Sequence, residues 1–434
     1  MSQRPETAFI AALDQTQYLA PDRMQAYQRR LLDVLLRHAR DQTDFHPARL
    51  APLFRPDDRI EWDRWLEIPV MTRGDVSANF DALAARVLPP VVGKVDRDSS
   101  SGSTGRPLEF LVSRLQMLAS DCCSERFFRW HNLDRTKLTA RIRSTGPDAA
   151  PFPEGRVIER WRVGEGESKA IDLTITTPVE LQLQWLQEVK PAYLFSYPSN
   201  LREIARVGRE RGIKLDLAAI LTVGEMVSDE TRATLGDYFG SDPLDRYGSS
   251  EVGHIAATCP HSGRHHVSAD IVLIEILDAA GNPVPAGTPG RIVATPFYGL
   301  AMPLIRYDTG DYGTLAAEPC GCGRTLPTLE RILGRTRNIF RFKDGSSVWP
   351  LMESSRMRAF LRARQFQVVQ VALDRIEYRY VPEDPGAPVD IAGLTAFARS
   401  RLHASIDVDV IAVDEIRRSP GGKYEDYVSL IDTA

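Results

Sequence analysis

Near the C-terminus, "SPGGKYE" sets one lysine, Lys423, on a Gly-Gly turn. An ammonium on a flexible stem at such a turn can reach a phosphate or a carboxylate, although a surface lysine in a polar tail is the plainer reading. "YGSSEVG", residues 247–253, separates the ring of Tyr247 from the carboxylate of Glu251 by Gly248, Ser249 and Ser250. "YDTGDYG", residues 307–313, holds Asp308 and Asp311 in one tight turn, and "GRTRNIF" begins at Gly334. The run "DSSSGSTGRPLEF", residues 98–110, has the hydroxyls and the glycines to turn backbone N–H groups toward an anion. It fails the P-loop spacing, because Arg106 and Pro107 follow Gly105. Alone, it reads equally as a phosphate cradle and as a surface turn. Cys259 with His261 or His266, in "CPHSGRHHV", and Cys320 and Cys322, in "PCGCGRT", could give a structural zinc Cys₃His donors. Their spacing is not that of a zinc finger. Cys122 and Cys123 read as buried packing.

The elements that must position these residues alternate. Apolar positions at helical spacing predict a helix over 24–37, and another from Thr177 and Pro178 to Lys190. Ser199 opens a further helix that Gly212 can close. The runs AYLF from 192, AILTV from 219, VLIEIL from 272 and RIVAT from 291 are short, apolar and bounded by turn residues, as buried strands are. Such alternation predicts an α/β core. After Gly334 a helix over 351–364, the strands VVQVAL and IEYRYV, a helix over 394–402 and the strand DVDVIAV make a smaller α+β unit. The expected division is a large α/β domain over 1–334 and a small mobile domain over 335–434. A length of 434 residues accommodates both, and 43% hydrophobic residues supply their cores. With 54 basic and 58 acidic residues, the net charge of −4 argues against bulk-charge nucleic-acid binding. The first residues lack a signal-peptide apolar core, and no apolar run approaches the ~20 residues that span a bilayer. Five cysteines make no disulfide framework, so the expectation is a cytoplasmic protein without a membrane partner.

Taken together and in this order, the motifs from about residue 95 onward resemble those of the adenylate-forming superfamily of acyl-CoA synthetases and adenylation domains. The short chain and the "CGCGRT" segment are similar to the phenylacetate–CoA ligase branch. The resemblance implies ATP-dependent conversion of a carboxylic acid, by default an aryl acid, to its acyl-adenylate. Transfer to a thiol follows, that of coenzyme A or, alternatively, of a carrier-protein phosphopantetheine. A non-catalytic relic that only binds nucleotide is the contrasting class. By the same resemblance, Ser101, Ser103, Thr104 and Gly105 meet the β- and γ-phosphates, and Gly224 and Glu225 line the adenine. Tyr247 stacks on the adenine beside Gly248, Asp311 takes both ribose hydroxyls, and Arg335 sits on the ribose side. Glu251 holds Mg²⁺, and Lys423 reaches the α-phosphate and the substrate carboxylate. Phe195, Tyr197 and Ser249 face the acid, and Cys259, His266, Cys320 and Cys322 form the branch's zinc site. The expected assembly is a monomer or a homodimer. Three departures stand out. Leu108 replaces a lysine common after the loop proline, and Arg337 and Asn338 occupy the usual hinge position. "RIRSTGPD" at 141–148 stands where a glycine- and aromatic-rich wall is expected, so the acid need not be phenylacetate.

Overall fold

The computed structural model describes residues 4–100, 107–146, 149–335, 338–350, 352–384, 386–419 and 422–431. Among these, a sheet of twelve strands forms the centre of the large domain. Lys169–Thr174, Thr139–Arg143, Tyr193–Ser196, Ala219–Val223 and Leu244–Ser249 lie side by side and run parallel. Ala219–Val223 is buried almost end to end, as a strand covered on both faces must be. Beyond Leu244–Ser249 the sheet continues antiparallel through Gly253–Thr258, His265–Val267, Thr328–Arg335 and Tyr307–Leu315.

Local chemistry accounts for the helices. Pro21 occupies the first turn of Pro21–Gln42, where its missing N–H costs nothing, and Met24, Leu32, Leu35, Leu36 and Ala39 bury one stripe. The sequence predicts only the middle of this helix. The helix expected at Thr177 starts instead at Val179, with Pro178 as its N-cap and no side-chain cap. Pro198–Glu210 ends as expected, with Gly212 at φ 64° just beyond it. Arg114–Trp130, which the apolar spacing does not announce, is capped by the Ser113 hydroxyl accepting from the Gln116 N–H at 3.2 Å. It carries Cys122 and Cys123 inward, and burial pushes both thiols up to about 12, leaving them protonated and inert.

The C-terminal part is a four-stranded sheet ordered Asp407–Ala412, Arg375–Pro382, Ala363–Ala372, Tyr427–Ser429. The helices Ser354–Leu361 and Ile391–Arg401 complete it, the first shorter than 351–364 because the chain is already extended at Ala363. Phe340, Phe366, Tyr378 and Leu394 make its separate core, at about 1.5–3 kcal/mol for each large apolar side chain. No helix among the described residues is long and apolar enough to cross a membrane.

Candidate active site

Three segments with predicted roles leave the sheet at the carboxyl ends of neighbouring parallel strands. Phe195 and Tyr197 end one, Gly224 and Glu225 follow the next, and Tyr247 lies near the end of the third. Ligands of open α/β sheets bind outside these ends. The turn carrying Lys423 is inserted at the same place. Gly422 N–H donates to Ser419 O, Ser419 N–H donates to Lys423 O, and Lys423 N–H donates to the Ser419 hydroxyl. The turn fits because two glycines leave room for it. A methyl group on Gly224, at φ 79°, would stand 3.0 Å from Lys423 Cε, and one on Gly422 would stand 3.0 Å from Ile175 Cγ2.

Lys423 is therefore half-buried in the cleft, not exposed on its turn as the sequence suggests. Burial, then the positive charge of Arg335, lowers its pKa from the ordinary lysine value, while Asp311, Glu225 and Glu251 oppose that shift. Glu225 secures the turn. Its carboxylate accepts from Tyr424 N–H at 2.6 Å, Ser199 N–H at 2.8 Å and the Ser199 hydroxyl at 2.9 Å. Arg418 donates to the Ser199 hydroxyl at 2.8 Å and to Gly422 O at 3.1 Å. Other bonds join the two domains nearby. Arg202 pairs with Asp426 at 3.2 Å, and the Glu230 carboxylate accepts from the Ser354 and Ser355 N–H groups that open the helix Ser354–Leu361. Sequence reading missed Ser199, Arg202, Glu230 and Arg418 as site residues. Arg418 directly precedes the SPGGKYE motif and Ser199 lies two residues beyond Tyr197, so these two stood beside residues the sequence had singled out.

Opposite the lysine, the Tyr247 hydroxyl donates to Asp311 Oδ2 at 2.8 Å, and Arg335 Nε lies 3.5 Å from Asp311 Oδ1. Burial raises the Asp311 carboxyl, with Arg335 the strongest opposing influence. Glu251 Oε1 accepts the Tyr307 hydroxyl at 3.0 Å, and its backbone carbonyl accepts from Gln116 Nε2 at 3.0 Å. Its other carboxylate oxygen has no protein partner among the described residues, as a cation ligand would require. Asp308 pairs instead with Arg291 at 3.0 Å and accepts from Gly310 N–H, a structural role. Gly248 lies where Leu244–Ser249 shifts register against Gly253–Thr258, and the Ser249 hydroxyl accepts from Val252 N–H at 3.2 Å, closing the turn. The Tyr197 hydroxyl accepts from Ser144 N–H at 3.3 Å. Ser101, Ser103, Thr104 and Gly105, together with Arg337, lie outside the described residues.

The cysteines converge away from this cleft. One donor atom from each of Cys259, His266, Cys320 and Cys322 lies within 4.8 Å of the others. Cys259 Sγ and Cys320 Sγ are 3.7 Å apart, and His266 Nε2 is 3.2 Å from Cys322 Sγ. Leu326 O, 3.0 Å from His266 Nδ1, accepts that ring N–H and leaves Nε2 to face the thiols. Three sulfurs and one imidazole, closed by a backbone acceptor, fit a soft tetrahedral metal. His261 is not one of the converging donors.

No family model matches the chain. It is 28% identical over 294 residues to the phenylacetate–coenzyme A ligase of Thermus thermophilus, covering 59% of this chain and 65% of that protein. It is 28% identical over 185 residues to the fumarate–(S)-2,3-diaminopropanoate ligase of Enterobacter agglomerans, covering 41% of this chain and 44% of that one. The chain thus spans less than two thirds of the length of either relative. Among solved structures, it is similar to a 2-hydroxyisobutyryl-CoA ligase in its postadenylation state, at TM-score 0.72 and 20% identity, covering 95% of this chain and 90% of that one. The thioesterification state of the same ligase matches at TM-score 0.58, with 21% identity and the same coverage. In fold the chain is thus similar to a solved acid–coenzyme A ligase, and in sequence it is similar to the phenylacetate–coenzyme A ligases.

Proposed function

We propose that the chain is an AMP-forming acid–thiol ligase that activates a carboxylic acid with ATP and passes the acyl group to coenzyme A. The observation that carries this reading is the seating of Lys423 against Gly224 in the cleft, within electrostatic reach of Arg335, Asp311, Glu225 and Glu251. In the first step a substrate carboxylate oxygen bonds to the α-phosphorus, and the bond to pyrophosphate breaks. Lys423 holds the carboxylate and the α-phosphate together and meets the charge that develops there. Asp311 takes the ribose hydroxyls, Arg335 supports it, and the Tyr247 ring covers the adenine. Glu251 would hold Mg²⁺, which neutralises phosphate charge. Ser101, Ser103, Thr104 and Gly105 are assigned the β- and γ-phosphates by the resemblance alone. In the second step the thiol sulfur bonds to the acyl carbon, and AMP leaves with the bonding pair. Cys259, His266, Cys320 and Cys322 would hold a structural zinc.

The small domain, taken to begin at residue 335, occupies the pose of the first step, in accord with the higher TM-score against the postadenylation arrangement. Glu230 caps the N-terminus of Ser354–Leu361 across the domain boundary, where the helix dipole also favours a negative charge. Glu230→Ala removes a cap, at about 0.5–2 kcal/mol, from this pose alone. Pyrophosphate exchange therefore falls several-fold, while thioester formation from supplied acyl-adenylate is unchanged. An equal fall in both half-reactions would remove the pose assignment.

Asp311→Ala weakens ATP binding by ~1.5–3 kcal/mol, the range for hydrogen bonds to a charged group, as read by calorimetry. Glu251→Gln spares most of that affinity and lowers Mg²⁺-dependent turnover. The acid is open to choice, since the relatives' names include both phenylacetate and fumarate. Pyrophosphate release across an acid panel tests the proposal directly. ATP binding without activation of any acid would leave only a nucleotide-binding relic.

A further inference from the structure

Behind the Phe195 wall, three guanidinium groups lie against aromatic rings. Arg141 lies over Trp161 at 5.5 Å, Arg162 over Phe128 at 4.7 Å, and Arg246 over Phe195 at 5.2 Å and Phe128 at 5.5 Å. Two of the three are matched by buried carboxylates. Arg141 grips Asp172 with two bonds, at 2.5 and 2.9 Å, and Arg162 grips Glu125 at 2.8 and 3.1 Å. Among the described residues the Arg246 side chain makes a single hydrogen bond, to the Ser124 hydroxyl at 2.7 Å, and its buried Nε has no partner.

Among the described residues no carboxylate lies within ion-pair distance of Arg246, although Asp245 and Asp121 act on it from farther away. Asp245 is engaged by the Thr222 hydroxyl at 2.7 Å and by His265 at 2.9 Å. Asp121, on the helix Arg114–Trp130, acts on Arg246 only from beyond ion-pair distance and is also approached by Arg114. Burial holds Arg246 down to about 10, and it in turn helps to keep His254 neutral. A half-buried arginine whose Nε is buried and unpartnered, with no paired carboxylate among the described residues, is costly unless a ligand completes it. Its location is informative. Arg246 immediately precedes Tyr247, pairs in register with Val223, just before Gly224, and rests on Phe195. By the resemblance Phe195 faces the acid, and Gly224 and Tyr247 face the adenine, so Arg246 lies between the two assigned sites.

We infer that Arg246 selects the acid, and that the substrate is a carboxylic acid carrying a second anionic group that pairs with this guanidinium. The inference rests on the acid-activating reading above. A planar guanidinium stacked on a ring presents its edge to a carboxylate in a fixed orientation, which suits it to this discrimination.

The test compares acids matched in size: fumarate, succinate and phthalate against crotonate, butyrate and benzoate. The expected result is a preference for the dianions on the order of tenfold or more in kcat/KM, since a buried group left unpaired penalises the analogue that lacks its partner. Arg246→Gln should erase or invert that preference while still activating the monoanions, and Arg246→Lys should restore part of it. Calorimetric titration of fumarate and crotonate into the AMP-loaded protein gives the same ratio without turnover. Equal handling of both sets by the wild type, or an unchanged ratio in Arg246→Gln, overturns the inference and leaves acid activation standing. Failure of the wild type to activate or bind any of the six overturns both.

Discussion

Lys423→Ala lowers adenylation by a factor on the order of 10² or more, the scale of losing one preorganised donor to developing transition-state charge. The measurement is acid-dependent ATP–pyrophosphate exchange. Lys423 belongs to the small domain, yet it lies against Gly224 of the large one, with Asp311, Glu225 and Glu251 near enough to influence its charge. The turn itself survives the substitution. The bonds among Ser419, Gly422 and Lys423 use main-chain groups and the Ser419 hydroxyl, and Glu225 accepts the Tyr424 main-chain N–H. The fold is therefore retained, and the loss appears in the rate and not in the yield of soluble protein. Thioester formation from supplied acyl-adenylate and coenzyme A is expected to be much less affected, because the proposed second step uses a different pose of the small domain. Unchanged exchange in Lys423→Ala would overturn the assignment.

The second large effect concerns the metal. Elemental analysis of the wild type is expected to give about one zinc per chain, and Cys320→Ser to lower metal content and melting temperature together. Structural zinc sites in small peptides contribute roughly 10–16 kcal/mol of apparent binding energy. Less appears as stability here, because the strands bearing Cys259 and His266 are already paired within the large sheet. A fall of roughly 5 °C or more is expected, at about 2–4 °C per kcal/mol for domains of moderate size. The turn bearing Cys320 and Cys322 should loosen first, since the thiols themselves would join it to the 259–266 segment. A metal-free wild type with full stability would remove the claim.

Residue type and spacing were enough for the main outline. The runs at 192, 219, 272 and 291 could be read as strands because a buried strand must be short, apolar and closed by turn residues. The change of texture after Gly334 was equally legible, since a second core needs its own alternation of helix and strand. The motifs around Tyr247, Glu251, Asp311 and Lys423 could be picked out because few residue types offer a ring, a hard carboxylate or a mobile ammonium. Cys259, Cys320 and Cys322 were legible as donors for the same reason, but their own spacing left the histidine undecided between 261 and 266.

Tertiary structure decided what distance along the chain conceals. Strand pairing put His266 at the thiols, because a register that sets His266 opposite Ala257 and Thr328 brings both cysteine segments to the same end. Glu225 and Tyr424 are 199 residues apart, and Glu230 and Ser354 are 124 apart, so no local pattern could announce that carboxylates of one domain hold main-chain amides of the other. Arg246 is the clearest case. In sequence it is one arginine beside a tyrosine. Only the packed sheet shows that the arginines sharing its aromatic cluster have carboxylate partners and that it has none among the described residues, because pairing of buried charge is a property of space and not of spacing.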